Sequence, residues 1–171
     1  MAVRNGATLP YLKYRSLYSQ RRELPVVWKW KELAEQFDTS AHTERGTLTL
    51  STADPAGRCE LVPGMAISIQ VVSAGGRTRP HAHAWWHLFV VQAGTGTMVL
   101  GSARDEVQLS RGDLVLVPAW CEHHFENTSE QESLALMSMT NLPQQAGLSN
   151  LLAHEPEDHP EGVELVPDKT I

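Results

Sequence analysis

Short segments with a period of two dominate the middle of the chain. Between residues 46 and 140, apolar and polar side chains alternate in eight segments, and Gly, Pro, Asn and Ser separate them. In chain order they are GTLTLST, MAISIQVVS, HAHAWWHLFVVQ, GTMVLG, DEVQLS, DLVLVP, HHFEN and LALMSMT. Because successive side chains of a strand point to opposite faces, each segment can bury one face and expose the other. The pattern predicts an all-β fold, a single small antiparallel barrel or jelly roll.

The two flanking regions differ from this pattern. The segment WKWKELAEQF, residues 28–37, predicts a short helix, and QQAGLSNLLA, just after Pro143, predicts a second one. The segment EPEDHPEGVELVPDK combines three prolines with many acidic residues, which predicts an extended or mobile tail. We therefore divide the chain into an N-terminal arm with a short helix (1–44), a barrel (45–141) and a C-terminal helix with an acidic tail (142–171).

Composition and charge exclude several classes of protein. The chain has 171 residues, of which 42% are hydrophobic and 20% charged, as in soluble globular domains, and its net charge is −6. It has no basic stripe with interleaved aromatic residues, so we expect no nucleic-acid partner. No apolar run is long enough to span a membrane, and the first residues lack the apolar core of a secretory signal. Cys59 and Cys121 form no CxxC pattern. We expect a cytoplasmic protein with reduced thiols and no membrane partner.

Three histidines in two segments indicate a metal site. His81 and His83 lie in PHAHAWWH, and His123 lies in PAWCEHHFEN. A His-x-His pair on a strand places both imidazoles on one face, and a histidine from another strand can complete a facial triad. Imidazole suits Zn, Cu, Fe and Ni, and three protein ligands leave positions open for water, substrate or oxygen. The pattern therefore predicts a small metal-dependent enzyme.

The spacing of these residues resembles the two motifs of the cupin superfamily. The first stretch contains Gly75, five residues, His81-x-His83, three residues, His87, six residues and Gly94. The second contains Gly112, five residues, Pro118, and then Trp120, His123 and Asn127. The family normally has Glu where this chain has His87 and Gly where it has Trp120. The resemblance covers residues 65–140 and implies a cupin barrel.

A closer resemblance is to the gentisate 1,2-dioxygenase branch of the cupins. It rests on GDLVLVPAWCEHHFEN followed by LALMSMTNLPQQAGLSNLLAHE, and on LPVVWKWKEL before the barrel. That branch favours Pro-x-Trp at the corner and uses three His ligands without the Glu. The resemblance implies a ring-cleaving dioxygenase that uses Fe(II), with Mn, Ni or Zn as alternatives, and acts on a gentisate-like hydroxylated aromatic acid. Typical members contain two cupin domains, whereas we expect one here.

Several further residues are candidates for the site. Strand alternation places Trp85, His87, Phe89 and Phe125 on inward faces, so with Trp120 they predict an aromatic pocket that binds the substrate ring. Phe89 and Phe125 replace an Arg and a His that are common in the gentisate branch, and these differences bear on the substrate. His87 is a fourth metal ligand, a donor that hydrogen-bonds a metal ligand, or a hydrogen-bonding group for the substrate.

Gln70 and Arg79 complete the catalytic candidates. Gln70 either contacts the substrate or is a satisfied amide inside the barrel. Arg79, with Arg77, is either a clamp for a carboxylate or a solvated charge. His124 should face away from the metal, towards solvent or a subunit contact, and Cys121 should be a small buried hydrophobic residue.

Two other classes of function stay open, as does the assembly. The first is a metal-dependent isomerase, cyclase or lyase without oxygen chemistry, and the second is a non-catalytic barrel that binds a small molecule. Since barrels of this family pair through their N-terminal segments, we expect a homodimer or a higher even oligomer.

Overall fold

Two short helices precede the strands. The computed structural model describes residues 7–19, 24–36, 47–52, 60–150 and 153–154. Helix α1 (Tyr11–Ser19) was not predicted, because its Leu12, Tyr14 and Leu17 are all exposed and form no buried stripe. Helix α2 (Trp30–Ala34) lies inside the predicted segment 28–37 but is shorter, and Phe37 is outside the described residues.

Ten strands follow in the described part of the chain, and every pairing between them is antiparallel. They are β1 (Thr47–Thr49), β2 (Ala66–Val72), β3 (Ala82–His83), β4 (His87–Ala93), β5 (Thr95–Leu100), β6 (Asp105–Ser110), β7 (Leu114–Val117), β8 (His123–Glu126), β9 (Leu134–Thr140) and β10 (Ala153–His154). A five-stranded sheet has the order β1-β2-β9-β4-β7, a three-stranded sheet has the order β6-β5-β8, and β10 and β3 form a two-stranded sheet. The predicted all-β fold is confirmed.

The chain just before β3 runs beside the edge of the three-stranded sheet. His81 pairs with His123, and Arg77 pairs with Glu126, so this stretch runs beside β8. On its other side, β10 pairs with β3 and places Ala153 opposite His83. The sequence did not predict β10, since a two-residue strand carries no periodic signal.

The apolar core lies between the two sheets, and side-chain alternation explains which residues enter it. It consists of Val72, Phe89, Val91, Met98, Leu109, Val117, Phe125, Leu134 and Leu136. In β7, Val117 is buried and Val115 packs against this cluster, whereas Leu114 and Leu116 are exposed on the opposite face.

The predicted strand segments match the strands, with one exception. HAHAWWHLFVVQ is not a single strand, because the chain bends at Trp85 and Trp86 and divides it into β3 and β4. At this bend the Trp86 N–H donates to the Asn141 side-chain oxygen at 3.0 Å, and the Trp85 carbonyl accepts from the His83 ring at 2.7 Å. Side-chain bonds thus replace strand pairing at these two residues.

The C-terminal part is only partly described. Helix α3 (Leu142–Gly147) begins before the predicted segment and includes Pro143 in its first turn, where the missing N–H has no helical partner to lose. The tail EPEDHPEGVELVPDK lies outside the described residues. The division at residues 44 and 141 stays a prediction. None of the helices in the described ranges is long and apolar enough to cross a bilayer.

Candidate metal site

Three buried histidines converge at one end of the core. Among the described residues, one nitrogen atom from each of His81, His83 and His123 lies within 4.8 Å of the others, which is compact enough to hold a metal ion. We call these three residues the histidine cluster. The structure therefore brings together the three residues that the sequence predicted as ligands.

Strand pairing builds the cluster. The His81 and His123 main chains exchange two hydrogen bonds, of 3.2 and 2.9 Å, and their ring centroids are 4.3 Å apart. His83 lies two residues further along, on the same face, with its ring centroid 5.2 Å from that of His123. The Trp120 N–H donates to the His83 carbonyl at 2.7 Å and fixes the main chain there.

A backbone carbonyl orients each ring of the histidine cluster. The Nδ1 atoms of His81, His83 and His123 lie 2.8, 2.7 and 2.9 Å from the carbonyl oxygens of Arg79, Trp85 and Cys121. A carbonyl can only accept, so each Nδ1 carries the proton and each Nε2 carries the lone pair of a neutral imidazole. This is the arrangement that metal-ligating histidines use. The donor set therefore fits a divalent transition metal.

His87 lies beside the histidine cluster, on the opposite sheet. Its Nε2 is 3.1 Å from His83 Nε2, and its Nδ1 is 2.7 Å from the Ser138 hydroxyl oxygen. It is partly exposed, whereas the three cluster residues are buried. Ser138 was not predicted as a site residue, although its place among the inward positions of LALMSMT indicates a polar side chain that faces the barrel interior.

The aromatic candidates occupy three different environments. Trp85 is buried, with its ring stacked on that of His83 at 4.2 Å and 4°. Phe89 stacks on His87 at 5.0 Å and meets Phe125 edge to face, and both are in the core. Trp120 is 53% exposed and has a positive φ of 64°. The structure therefore places Trp85 and Phe89 against histidine rings, and Trp120 at the surface.

Gln70 and Arg79 lie at different depths. Gln70 is buried on β2, with its side chain on the same face as Val72 of the core. Arg79 is partly exposed, and its contact with the site is through its carbonyl, which accepts from His81. Whether either side chain meets a substrate stays a prediction.

His124 and Cys121, which lie close to His123 in sequence, differ in burial. His124 faces away from the histidine cluster as expected. Of its two predicted environments, solvent is wrong, since it is 5% exposed and its Nε2 lies 3.2 Å from the Glu126 carboxylate, and the subunit contact stays a prediction. Alternation gives the face of a strand residue but not what covers that face. Cys121 is partly buried and packs against the core.

Part of the chain matches a known domain family. Residues 68–139, from β2 to β9, match the Cupin domain family. The match encloses the histidine cluster and confirms the cupin resemblance of the two motifs.

The chain is similar to curated dioxygenases. It is 29% identical over 148 residues to 1-hydroxy-2-naphthoate 1,2-dioxygenase from Nocardioides sp. (strain KP7), covering 84% of this chain and 38% of that protein. It is also 29% identical over 133 residues to gentisate 1,2-dioxygenase from Streptomyces sp., covering 72% of this chain and 36% of that protein. The chain thus spans less than two fifths of the length of these relatives.

Solved structures share the fold. Salicylate 1,2-dioxygenase from Pseudaminobacter salicylatoxidans superimposes with a TM-score of 0.69 at 24% identity, over 87% of this chain and 48% of that one. A mutant of the salicylate 1,2-dioxygenase in complex with gentisate gives a TM-score of 0.74 at 23% identity, over 88% of this chain and 44% of that one. These likenesses show that the chain shares the fold of these structures.

Proposed function

We propose that this chain carries the metal centre of a ring-cleaving dioxygenase that acts on a hydroxylated aromatic acid. The observation that carries the proposal is the histidine cluster, in which three buried Nε2 lone pairs converge while each Nδ1 is held by a carbonyl. Similarity to dioxygenases named for gentisate and 1-hydroxy-2-naphthoate supports the reaction class. We propose Fe(II) as the metal, held by His81, His83 and His123.

The charge of the site favours an anionic substrate. Three neutral imidazoles leave the full charge of a divalent ion uncompensated, so a carboxylate and a phenolate are suitable additional ligands. Bound Fe(II) supplies the electron transfer between oxygen and the aromatic ring. An aromatic acid with adjacent carboxylate and hydroxyl groups satisfies the charge and offers both donors from one molecule.

Side chains around the histidine cluster hold the substrate and exclude water. Trp85 and Phe89 pack against the rings of His83 and His87 and form an apolar wall, which protects reactive intermediates from water. Phe125 packs edge to face against Phe89, and the Trp120 ring is exposed at the surface. Gln70 and Arg79 stay our candidates for polar contacts with the substrate.

Oxygen consumption tests the proposal. Protein loaded with Fe(II) without oxygen should consume oxygen when gentisate, salicylate or 1-hydroxy-2-naphthoate is added, followed with an oxygen electrode. The matched variant His123→Ala should consume none, because it lacks one of three ligands. Absence of uptake by the loaded wild-type protein with these acids, with hydroquinones and with β-diketones would contradict the proposal.

One observation favours a second candidate function. The 3.1 Å separation of His87 Nε2 from His83 Nε2 would allow His87 to reach the metal as a fourth donor, which leaves fewer open positions. A site of that kind suits an isomerase, cyclase or lyase that does not use oxygen. That function predicts turnover under nitrogen with Zn or Mn, and activity found only with iron and oxygen excludes it.

A further inference from the structure

The hydrogen bonds around His87 determine where its proton lies. His83 Nδ1 donates to the Trp85 carbonyl, so His83 Nε2 carries a lone pair. The 3.1 Å contact between His83 Nε2 and His87 Nε2 needs one proton between the two atoms, and His87 must supply it. This conclusion holds for a neutral and for a protonated His87 alike, because both forms can carry a proton on Nε2.

The Ser138 hydroxyl stabilises the same arrangement. In the neutral form with the proton on Nε2, His87 Nδ1 is an acceptor, and the Ser138 hydroxyl at 2.7 Å donates to it. Ser138 is buried on the inward face of β9, next to β4, and the His87 ring is also stacked against Phe89. The ring therefore has a defined position from both its polar and its apolar contacts.

Metal binding at His83 would remove the present hydrogen-bond acceptor of the His87 N–H. When the His83 lone pair binds a metal, it can no longer accept from His87. His87 Nε2 belongs to a ring outside the histidine cluster, attached to the opposite sheet and more exposed than the three cluster residues. Its N–H would then be available to a ligand of a metal held by His81, His83 and His123.

The geometry points to His87 as a hydrogen-bond donor to an anionic ligand bound at the open side of the metal, with Ser138 holding its proton on Nε2. This inference rests on the proposed metal centre and assigns His87 a role in ligand recognition. The ligand class is a small anion or a carboxylate or phenolate group, since an N–H donor strengthens the binding of negative oxygen or nitrogen.

Azide binding to the Co(II)-loaded protein tests the inference. Azide is a small anionic ligand, and its binding at the metal is measured by titration of the Co(II) visible absorption. The variant His87→Leu should bind azide about tenfold more weakly, the effect of one hydrogen bond to a charged group. His87→Gln, which keeps an amide N–H, should recover part of the affinity. Ser138→Ala should weaken azide binding, because it removes the donor to Nδ1.

A hydroxyl elsewhere on the same inner face gives the matched control. Ser68 is paired with Ser138 in the β2–β9 register, but its hydroxyl contacts Thr49 at 3.1 Å. Ser68→Ala should bind azide as the wild type does. Circular dichroism and thermal unfolding should show that each variant is folded, and if His87→Leu is not, His87→Gln and Ser138→Ala supply the comparison.

Two measurements separate the possible outcomes. The Co(II) affinity, from competition with a chelator, should be nearly equal in the wild type and His87→Leu; a clear loss would make His87 a metal ligand and overturn the inference. Equal azide affinity in the wild type, His87→Leu and Ser138→Ala would also overturn it, while leaving the proposed function intact. Wild-type protein that takes up no metal would contradict both the proposed function and this inference.

Discussion

The orientation of the three cluster rings is set locally. Each Nδ1 donates to a carbonyl two residues away in its own segment, from Arg79, Trp85 and Cys121. The imidazoles therefore lose little further rotational freedom when a metal binds, which favours tight binding. At the residue scale, the number and positions of the histidines determine whether the chain can bind a metal.

Removal of one cluster residue should eliminate metal binding. We expect His123→Ala to lower the affinity for Co(II) or Fe(II) by more than about 100-fold, because loss of a ligand exceeds the effect of losing a group that only orients one. Metal content after dialysis, measured by elemental analysis, checks this. The adjacent His124 gives the control, since its side chain is on the other face of β8, and His124→Gln should keep the metal. Full metal content in His123→Ala would contradict the assignment.

The histidine cluster was predictable from the sequence, whereas the His87–Ser138 contact was not. His81, His83 and His123 follow from motif spacing and strand alternation alone. Ser138 meets His87 only because β9 and β4 are neighbours, 51 residues apart in sequence, and no local pattern contains that information. The burial of His124 was missed for the same reason.

Individual turns and side-chain links hold the strands in register. β4 and β5 are joined at Gly94, whose φ is 74°, and a Cβ there would clash with the Ser133 carbonyl oxygen. Asn127, at the end of β8, donates to the carbonyls of Val72, Ser73 and Glu132. These two residues act where different elements meet, so their substitution should affect stability more than chemistry.

Gly94→Ala should destabilise the fold. Positive φ costs an L residue about 1–2 kcal/mol, and the clash with Ser133 adds to this, so we expect a loss of about 3 kcal/mol in the free energy of unfolding. Urea unfolding followed by circular dichroism measures it. Gly101→Ala is the control: Gly101 also has a positive φ, of 65°, but a Cβ there meets open space, so only the backbone cost of about 1–2 kcal/mol applies. Equal losses would show that the contact with Ser133 is unimportant.

Asn127→Ala should also lower stability strongly. The side chain is 2% exposed, and its loss removes three hydrogen bonds to carbonyls, of which the one to Val72 is buried, and the one that it accepts from the Ser129 N–H. We expect a loss of about 3 kcal/mol in the free energy of unfolding, since each buried unsatisfied group costs about 1–3 kcal/mol. Asn150→Ala, which removes one partly buried contact with Gln145, should cost about 1 kcal/mol or less. If Asn127→Ala and Asn150→Ala unfolded at the same denaturant midpoint, Asn127 would have no special role in stability.

Most strands were predictable because their period reflects burial on one face. The exceptions have separate causes. HAHAWWHLFVVQ keeps an inward pattern on both sides of the bend, so alternation could not reveal the side-chain bonds from His83 and Asn141 that break it. α1 buries no stripe, and β10 is too short for any period to be seen.

At the scale of the whole molecule, many apolar side chains of the N-terminal arm are exposed. Leu12, Leu24 and Val27 are each more than 75% exposed, and Tyr11 and Leu17 are exposed as well. Monomeric proteins rarely leave large contiguous apolar patches in water. This exposure is what an arm that docks on another subunit would show.

We therefore predict a homodimer or a higher even oligomer. Light scattering after size-exclusion chromatography should give an even multiple of 18.9 kDa. The double variant Leu12→Ser/Leu17→Ser should shift the protein towards the monomer, because it removes apolar contact area from α1. Leu148→Ser, at an exposed leucine after α3, should leave the mass unchanged. A monomeric mass for the wild type would refute the prediction.

The carbonyl acceptors of the histidine cluster have a consequence for sequence variation. Every amino acid carries a carbonyl, so Arg79, Trp85 and Cys121 can change identity without removing the groups that orient the three rings. His87 is different, because a side chain orients it, and Ser138 can be replaced in a single step. Related proteins can therefore keep the three metal-binding histidines while His87 and Ser138 change. Substitutions at these two positions would alter which ligands bind beside the metal without removing a metal ligand.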